Sequence, residues 1–319
     1  MPLTIAKKNC LLYNIKKIKW RSISKLTAIN CLKIGVIMKI ALSAESTIDL
    51  PANLLQEYDI HTTPFTILLG DEVKLDGEVT CPQIVEYVNK TGVLPKTSAV
   101  NQFQFKEHFD NLLKDYDAVI HFSLSSEISV ACHNAKTCAE DYDNVYVVDT
   151  RTLSTGIALL AIYASKLIKK GLDAKTIVEM CTARIPHLQV SFVLARLDYL
   201  HKGGRCSALS CFGANLLKLR LQILVKDGKM GPSNKYRGNM DKCIVSYVND
   251  TLQKFDNPDK SEIFITSTTA SEAQIQSVKE ILEAHGFKHI MVTNAGGTIT
   301  SHCGEDCLGI LYLNDGDHE

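Results

Sequence analysis

The sequence predicts an α/β protein made of two unlike halves, and three observations carry that prediction. From Met38 onward, short apolar runs alternate with longer amphipathic ones, the pattern of βαβ units and a mainly parallel sheet. After Gly171 the order changes, and Asp227-Gly228 between two strand-like runs is a type I′ hairpin signal. An apolar fraction of 45% in 319 residues is enough to build a well-buried core. The expected architecture is an N-terminal, mainly parallel α/β sheet domain over 38–171 and a C-terminal α+β domain with an antiparallel hairpin over 172–315. A basic extension over 1–37 precedes both.

That extension carries Lys7, Lys8, Lys16, Lys17, Lys19, Arg21, Lys25 and Lys33 with no Asp or Glu. It lacks an apolar run of signal-peptide or membrane-span length. Met38-Lys39-Ile40-Ala41-Leu42 opens a buried-strand pattern at once, so the functional body is expected to start at Met38, with residues 1–37 read as translation begun upstream of the true start. Strands are predicted at 38–43, 61–69, 117–123 and 144–149, with helices at 51–58, 81–90, 101–115 and 129–141. Pro51 sits where a first-turn proline is tolerated. A long helix over 153–170 is closed by Gly171, which marks the boundary between the halves. The second half reads as a helix at 173–184, a strand at 188–196 and a helix around 208–218. Strands at 220–226 and 229–236, a helix at 239–255, a strand at 261–267, a helix at 271–285, and strands at 289–293 and 308–313 complete it.

Charge and cysteine content narrow the function classes. The chain holds 35 basic and 35 acidic side chains, and the extension's eight basic residues leave the body with 27 against 35. A net acidic body disfavours nucleic acid as a partner, and no segment predicts stable membrane insertion. Eleven cysteines, an odd number scattered through apolar and helical stretches, are the thiol usage of a reducing, cytoplasmic compartment.

Three segments hold the candidate chemistry. Pro95-Lys96-Thr97-Ser98, in a predicted loop between two helices, offers two hydroxyls and several amides, and taken alone reads first as a helix cap. His121 to Ser129 ends a buried strand and opens a helix, the crevice where open sheets bind ligands. A helix start ringed by Ser125, Ser126 and Ser129 stabilises an anion, phosphate and carboxylate alike, although serines there also cap. Asn294 to Gly304 concentrates small residues around His302, where imidazole donates to a carboxylate, carries a proton, or is simply structural.

Metal binding by His302, Cys303 and Cys307 is a weak reading, since no second pair completes a tetrahedral site. No G-x-S-x-G elbow or nucleotide-binding glycine motif occurs.

Taken in order, seven segments resemble those of the DegV family: Glu45-Ser46-Thr47, Lys96-Thr97-Ser98, Leu124-Ser125-Ser126-Glu127-Ile128-Ser129, Val148-Asp149-Thr150, Lys202-Gly203-Gly204-Arg205, Arg237-Gly238 and His302-Cys303-Gly304. The resemblance runs from Met38 to about Leu313. It implies a two-domain DegV-like fold with a lipid site between the domains and a non-catalytic carrier that binds a long-chain fatty acid. It further implies that Thr97 and Ser129 hold the carboxylate, with Ser98, Ser126 and His302 as neighbours. No cofactor beyond the bound fatty acid and no metal are implied. The implied partner is an ATP-dependent fatty acid kinase subunit that phosphorylates the acid for phospholipid synthesis, and Lys202, Arg205 and Arg237 are the expected docking residues for it. Arg205 is equally readable as one half of an ion pair across the domain junction.

Burying about 14 methylenes at ~0.8 kcal/mol each stabilises a bound chain by roughly 11 kcal/mol before association costs, so neutral hydroxyl donors suffice for the head group. Departures from the family pattern concentrate near the site. Glu45 stands for Asp, Glu127 for Gly, Ser129-Val130-Ala131 for Ser-Gly-Thr, and Glu305-Asp306 for Pro-Gly. Two extra carboxylates beside His302 are expected to repel an anion or to change which partner docks. The competing reading is an enzyme acting on a small carboxylated or phosphorylated substrate at the same crevice, with His302, Asp149 and Glu45 as its candidate acids and bases.

Overall fold

The computed structural model describes residues 38–209 and 220–316. The expectations for residues 1–37, and for the helix around 208–218 from residue 210 on, fall outside the described residues.

The first half runs β1 (Ile40–Glu45), α1 (Ala52–Glu57), β2 (Ile60–Thr63), β3 (Thr66–Leu69), β4 (Glu72–Leu75), α2 (Cys81–Thr91), β5 (Lys96–Ser98), α3 (Gln102–Leu112), β6 (Ala118–Ser123), α4 (Ala131–Ala139), β7 (Val145–Asp149) and α5 (Thr155–Lys169). The second runs α6 (Ala174–Arg184), β8 (Leu188–Leu194), α7 (Asp198–Lys202), β9 (Arg220–Lys226), β10 (Lys229–Tyr236), α8 (Met240–Lys254), β11 (Glu262–Ser267), α9 (Glu272–Ala284), β12 (His289–Asn294), α10 (Gly297–Cys303) and β13 (Cys307–Leu313).

Strands β2, β1, β6 and β7 form a four-stranded sheet in which every pairing is parallel. β1 and β6 are buried at every position, the both-faces burial that a covered parallel sheet imposes. The second sheet, in the order β10-β9-β8-β13-β11-β12, is antiparallel except for β11 with β12. Its hairpin turns at Asp227 (φ 51°) and Gly228 (φ 82°), both left-handed as a type I′ turn demands. The fold is therefore the expected α/β one.

Several elements depart from the sequence reading. The expected strand over 61–69 is two strands in two different sheets, because Pro64 has no N–H to continue a ladder and the chain crosses there. β4 and β5 join β3 in a small antiparallel sheet, so the Lys-Thr-Ser segment is a strand rather than a loop. The short helix α10 occupies a segment whose glycines suggested a loop, and the short helix α7 runs up to the Lys202-Gly203-Gly204-Arg205 stretch, where the sequence predicts no helix.

Helix α5 ties the halves together. Eleven of its fifteen residues are buried, and it packs on β1 and β6 of the parallel sheet and on β8, β11 and β13 of the second. A helix buried on most of its surface, with only a narrow edge carrying Lys166 and Lys169, belongs between two layers. A single apolar core consequently runs from Ile40 and Phe122 through α5 to Phe192 and Leu311.

Candidate functional site

β5 and α10 bring together residues 205 positions apart: Thr97 Oγ1 lies 2.9 Å from His302 Nε2. Thr97 faces Ile67 across the β3–β5 ladder. His302 is placed by what holds the start of α10. Gly296 N–H donates to Asp49 Oδ1 and Gly297 N–H to Asp76 Oδ1, both at 2.8 Å. Two carboxylates thus satisfy helix-start amides that would otherwise lack partners. Asp49 follows β1 through a one-turn helix, and Asp76 follows β4 and accepts from Ser46 Oγ at 2.9 Å. A side chain at Gly297 would collide with Ile67 Cδ1, so glycine lets α10 sit against the small sheet.

On the far side, Gly203 closes on the imidazole, for a Cβ there would lie 2.5 Å from His302 Nδ1. Burial, with added repulsion from Arg205, lowers the His302 pKa to about 4, so the ring is neutral near pH 7. Burial also pushes the Asp49 carboxyl up to about 8, against hydrogen bonds from Ser154 and Gly296 and with help from Asp76.

Thr97, Ser129 and Arg205 stand at the mouth of a largely apolar chamber, with His302 and Thr298 also in its lining and Phe65, Leu124, Ile128, Leu153, Leu200 and Met230 along the walls. Leu153, Ile299 and Cys303 are shared with a second, small chamber that extends to Phe192 and Leu311. Outside the mouth is an open vestibule bordered by Ser98, Ser126, Glu127, Ser129, Gly203, Arg205 and Lys229. The lining is apolar apart from hydroxyls, a guanidinium and a neutral imidazole, chemistry that suits an apolar ligand with one polar end.

The predicted residues fare differently. Thr97, Ser98, Ser126, Ser129, His302 and Arg205 gather at this one opening. Ser129 Oγ also accepts the Ala131 N–H at 3.2 Å, the capping role weighed from sequence. Ser126 Oγ is engaged by Asp149 Oδ2 at 2.6 Å and Arg151 Nη1 at 3.1 Å. Ser125 turns away to the Gly228 carbonyl, 2.8 Å, and fastens the hairpin. Arg205 is exposed and donates to the Gly203 carbonyl at 2.5 Å, and no ion pair joins it to a carboxylate among the described residues. Lys202 and Arg237 are exposed but do not border the mouth.

The extra carboxylates are less repulsive than the sequence suggested. Of the two beside His302, Glu305 pairs with Arg196 at 3.2 Å and Asp306 accepts from Thr269 Oγ1 at 3.4 Å; Glu127, at the vestibule, pairs with Lys229 at 3.3 Å and Arg151 at 3.4 Å. Of the alternative acids and bases, Glu45 is sealed from solvent and Asp149 is held by Ser126 and Arg151. Asp49 and Asp76, which set the position of α10, escaped the sequence reading. Their only sequence signal is an Asp in a loop, and the glycines they meet lie 247 and 221 positions away. Among the described residues no three His, Cys, Asp or Glu side chains are grouped to hold a metal ion.

A family description, "Uncharacterised protein, DegV family", matches residues 39–315. The chain belongs to the DegV family. A Thermotoga maritima protein named fatty acid-binding protein is 27% identical to this DegV chain over 281 residues, 85% of this chain and 96% of its own length. A Thermotoga maritima structure, described as a hypothetical protein that reveals fatty acid binding function, matches with a TM-score of 0.75 at 26% identity, over 86% of this chain and 99% of that one. The Streptococcus pneumoniae fatty acid kinase B3 protein loaded with linoleic acid matches with a TM-score of 0.75 at 22% identity, over 87% of this chain and 100% of that one, which is a likeness of fold. Among the described residues no helix is long and apolar enough to cross a membrane.

Proposed function

We propose that this DegV chain is a non-catalytic carrier that buries the acyl chain of a long-chain fatty acid and holds its carboxylate at Thr97, Ser129 and His302. The observation that carries the reading is the Thr97–His302 pair at 2.9 Å, which lines a chamber walled mainly by apolar side chains. A neutral imidazole and hydroxyls form modest hydrogen bonds to an anion, and the buried methylenes supply the affinity. Ser98 and Ser126 border the vestibule as neighbours of the head group. The halves 38–171 and 172–315 act as the two walls, the first contributing Thr97 and Ser129 and the second His302 and Arg205.

A carboxylate held by neutral donors keeps oxygen lone pairs free, as it must to attack a phosphoryl group, whereas a bidentate arginine would occupy them. The chain presents that carboxylate to a separate ATP-dependent fatty acid kinase for acyl-phosphate formation. Arg205, at the vestibule, and the exposed Lys202 and Arg237 are its docking candidates. The names of the similar proteins, fatty acid-binding protein and fatty acid kinase B3 protein, support both parts of the reading.

The test is binding of a fatty acid and of its methyl ester to the lipid-stripped chain. Thr97→Ala with Ser129→Ala should lower affinity for the acid by roughly tenfold or more, and for the ester by far less. Equal losses for both ligands would remove the carboxylate from these residues. Native mass spectrometry of the untreated protein should show a co-purified fatty acid.

A further inference from the structure

We infer that the fatty acid taken by this chain carries a hydroxyl on the part of its chain nearest the carboxyl, received by Thr298. The inference rests on the fatty-acid reading above and narrows the ligand class. Thr298 lines the same chamber as Thr97, Ser129 and His302 and is 4% exposed. Its Oγ1 is buried with no hydrogen-bond partner among the described residues.

The other hydroxyls of α10 do not share that condition. Ser301 Oγ donates to the Gly297 carbonyl at 2.8 Å, and Thr300 Oγ1 to the Ala295 carbonyl at 3.4 Å. Both bond within their own turn, whereas Thr298 stands at the second helical position and its fourth predecessor, Asn294, belongs to β12. A buried hydroxyl left unpaired destabilises the fold, and a valine would fill the same volume without that penalty. A ligand hydroxyl, both donor and acceptor, satisfies Thr298 as the ligand enters.

The position of the ligand's oxygen follows from the helix. Thr298 and His302 are four residues apart and share one face, their side chains about 5–6 Å apart. With the carboxylate at His302, the hydroxyl falls within roughly the first six carbons, given that spacing.

The experiment uses the full, lipid-stripped chain with stearic acid and with stearic acids hydroxylated at carbon 3, 5 or 12. A 3- or 5-hydroxy acid should bind the wild type roughly threefold to tenfold tighter than stearic acid. In Thr298→Val that ratio should collapse toward one, and Thr298→Ser, which keeps the hydroxyl, should retain it and serves if the valine variant fails to fold. No preference in the wild type, a preference only for the 12-hydroxy acid, or a ratio unchanged by valine would overturn the inference while leaving fatty-acid binding in place. If none of the four acids binds, the fatty-acid reading itself falls, and this inference with it.

Discussion

His121 and His302 each meet a hydroxyl at 2.9 Å, Ser43 in the first case and Thr97 in the second, but only one of the two imidazoles can reach a ligand. In the parallel sheet, Ser43 Oγ lies 2.7 Å from His108 Nε2 as well, and His121 Nε2 is 3.3 Å from Glu45 Oε1. Glu45 in turn accepts from Ser123 Oγ at 2.5 Å and from the Leu124 N–H at 2.9 Å. Phe105 and Phe109 close on the His121 ring, with centroids 5.2 and 5.6 Å away. Serine, histidine and glutamate in line would suggest a nucleophile, yet all three are fully buried, and Ser43 and His121 are register partners between β1 and β6. The cluster fastens the sheet. At the chamber mouth the imidazole faces a hydroxyl and no carboxylate, and a cavity opens beside it. Access and the missing counter-anion, not the residue types, make the second pair fit to receive an anion from outside.

The largest expected effect separates the two clusters by stability. Glu45→Ala leaves Ser123 Oγ and the Leu124 N–H buried without their acceptor and His121 without its charge partner, and should cost about 3–5 kcal/mol, whereas Thr97→Val should cost about 1 kcal/mol or less. Chemical denaturation of both variants measures the difference, and similar losses would erase the distinction between the clusters. Acid should act on the same carboxylate. Burial alone would raise the Glu45 pKa, but His121, Ser123 and the Leu124 amide outweigh it and hold it below its ordinary 4.5. A depressed folded-state value means that this stabilisation is complete above pH 4.5 and is lost as pH falls through the folded value. Glu45→Gln should therefore flatten the acid limb of the stability profile.

Asp49 gives an intermediate effect of opposite sign. Its folded pKa of about 8 lies above the ordinary 3.8, so the fold favours the neutral carboxyl. That contribution is full below pH 3.8 and is lost as pH rises through 8. Wild-type stability should decline toward pH 8.5, while Asp49→Asn, which still offers Gly296 an acceptor and Ser154 a polar partner, should hold its value. The gap at pH 8.5 is expected to be on the order of 1–3 kcal/mol, a tenfold change in a protonation equilibrium being worth about 1.4 kcal/mol. Because Asp49 anchors the start of the helix that carries His302, affinity for a fatty acid should weaken over the same range. Parallel profiles for the two proteins would mean that Asp49 stays charged in the fold.

The elements visible in the sequence were those with a strong local period or stop signal. The buried strands around Leu42 and Ile120, the largely apolar α5 and the Asp227-Gly228 turn each declare themselves within a window of residues. β5 and α10 did not, because three strand residues and seven helical ones gain their structure from partners far along the chain: β3 for the first, Asp49 and Asp76 for the second. The hydroxyls and His302 were legible as candidates because they sit in small-residue segments with few structural reasons to be polar. Which of them meet, and that Ser126 is already engaged by Asp149 and Arg151, depends on contacts between segments, and no spacing in the sequence encodes it.

The smallest effect sharpens the open side of the comparison. Burial is the main reason that His302 resists protonation, and Arg205 adds repulsion to it. Arg205 is exposed, so solvent and salt screen its charge, and Arg205→Ala should raise the His302 pKa by no more than a few tenths, read by NMR titration of the ring. A larger rise would mean that the guanidinium lies inside the chamber mouth rather than at its rim. At the rim, the same charge is poised for a partner. In a reconstituted assay with an ATP-dependent fatty acid kinase, Arg205→Ala should slow acyl-phosphate formation roughly tenfold while fatty-acid affinity changes less than about threefold, and added salt should slow the wild type toward the variant. If affinity instead falls as far as the rate does, Arg205 serves the carboxylate directly. The anion would then be held by a charge as well as by neutral donors, and the contrast with the sealed, carboxylate-paired imidazole of His121 would rest on access alone.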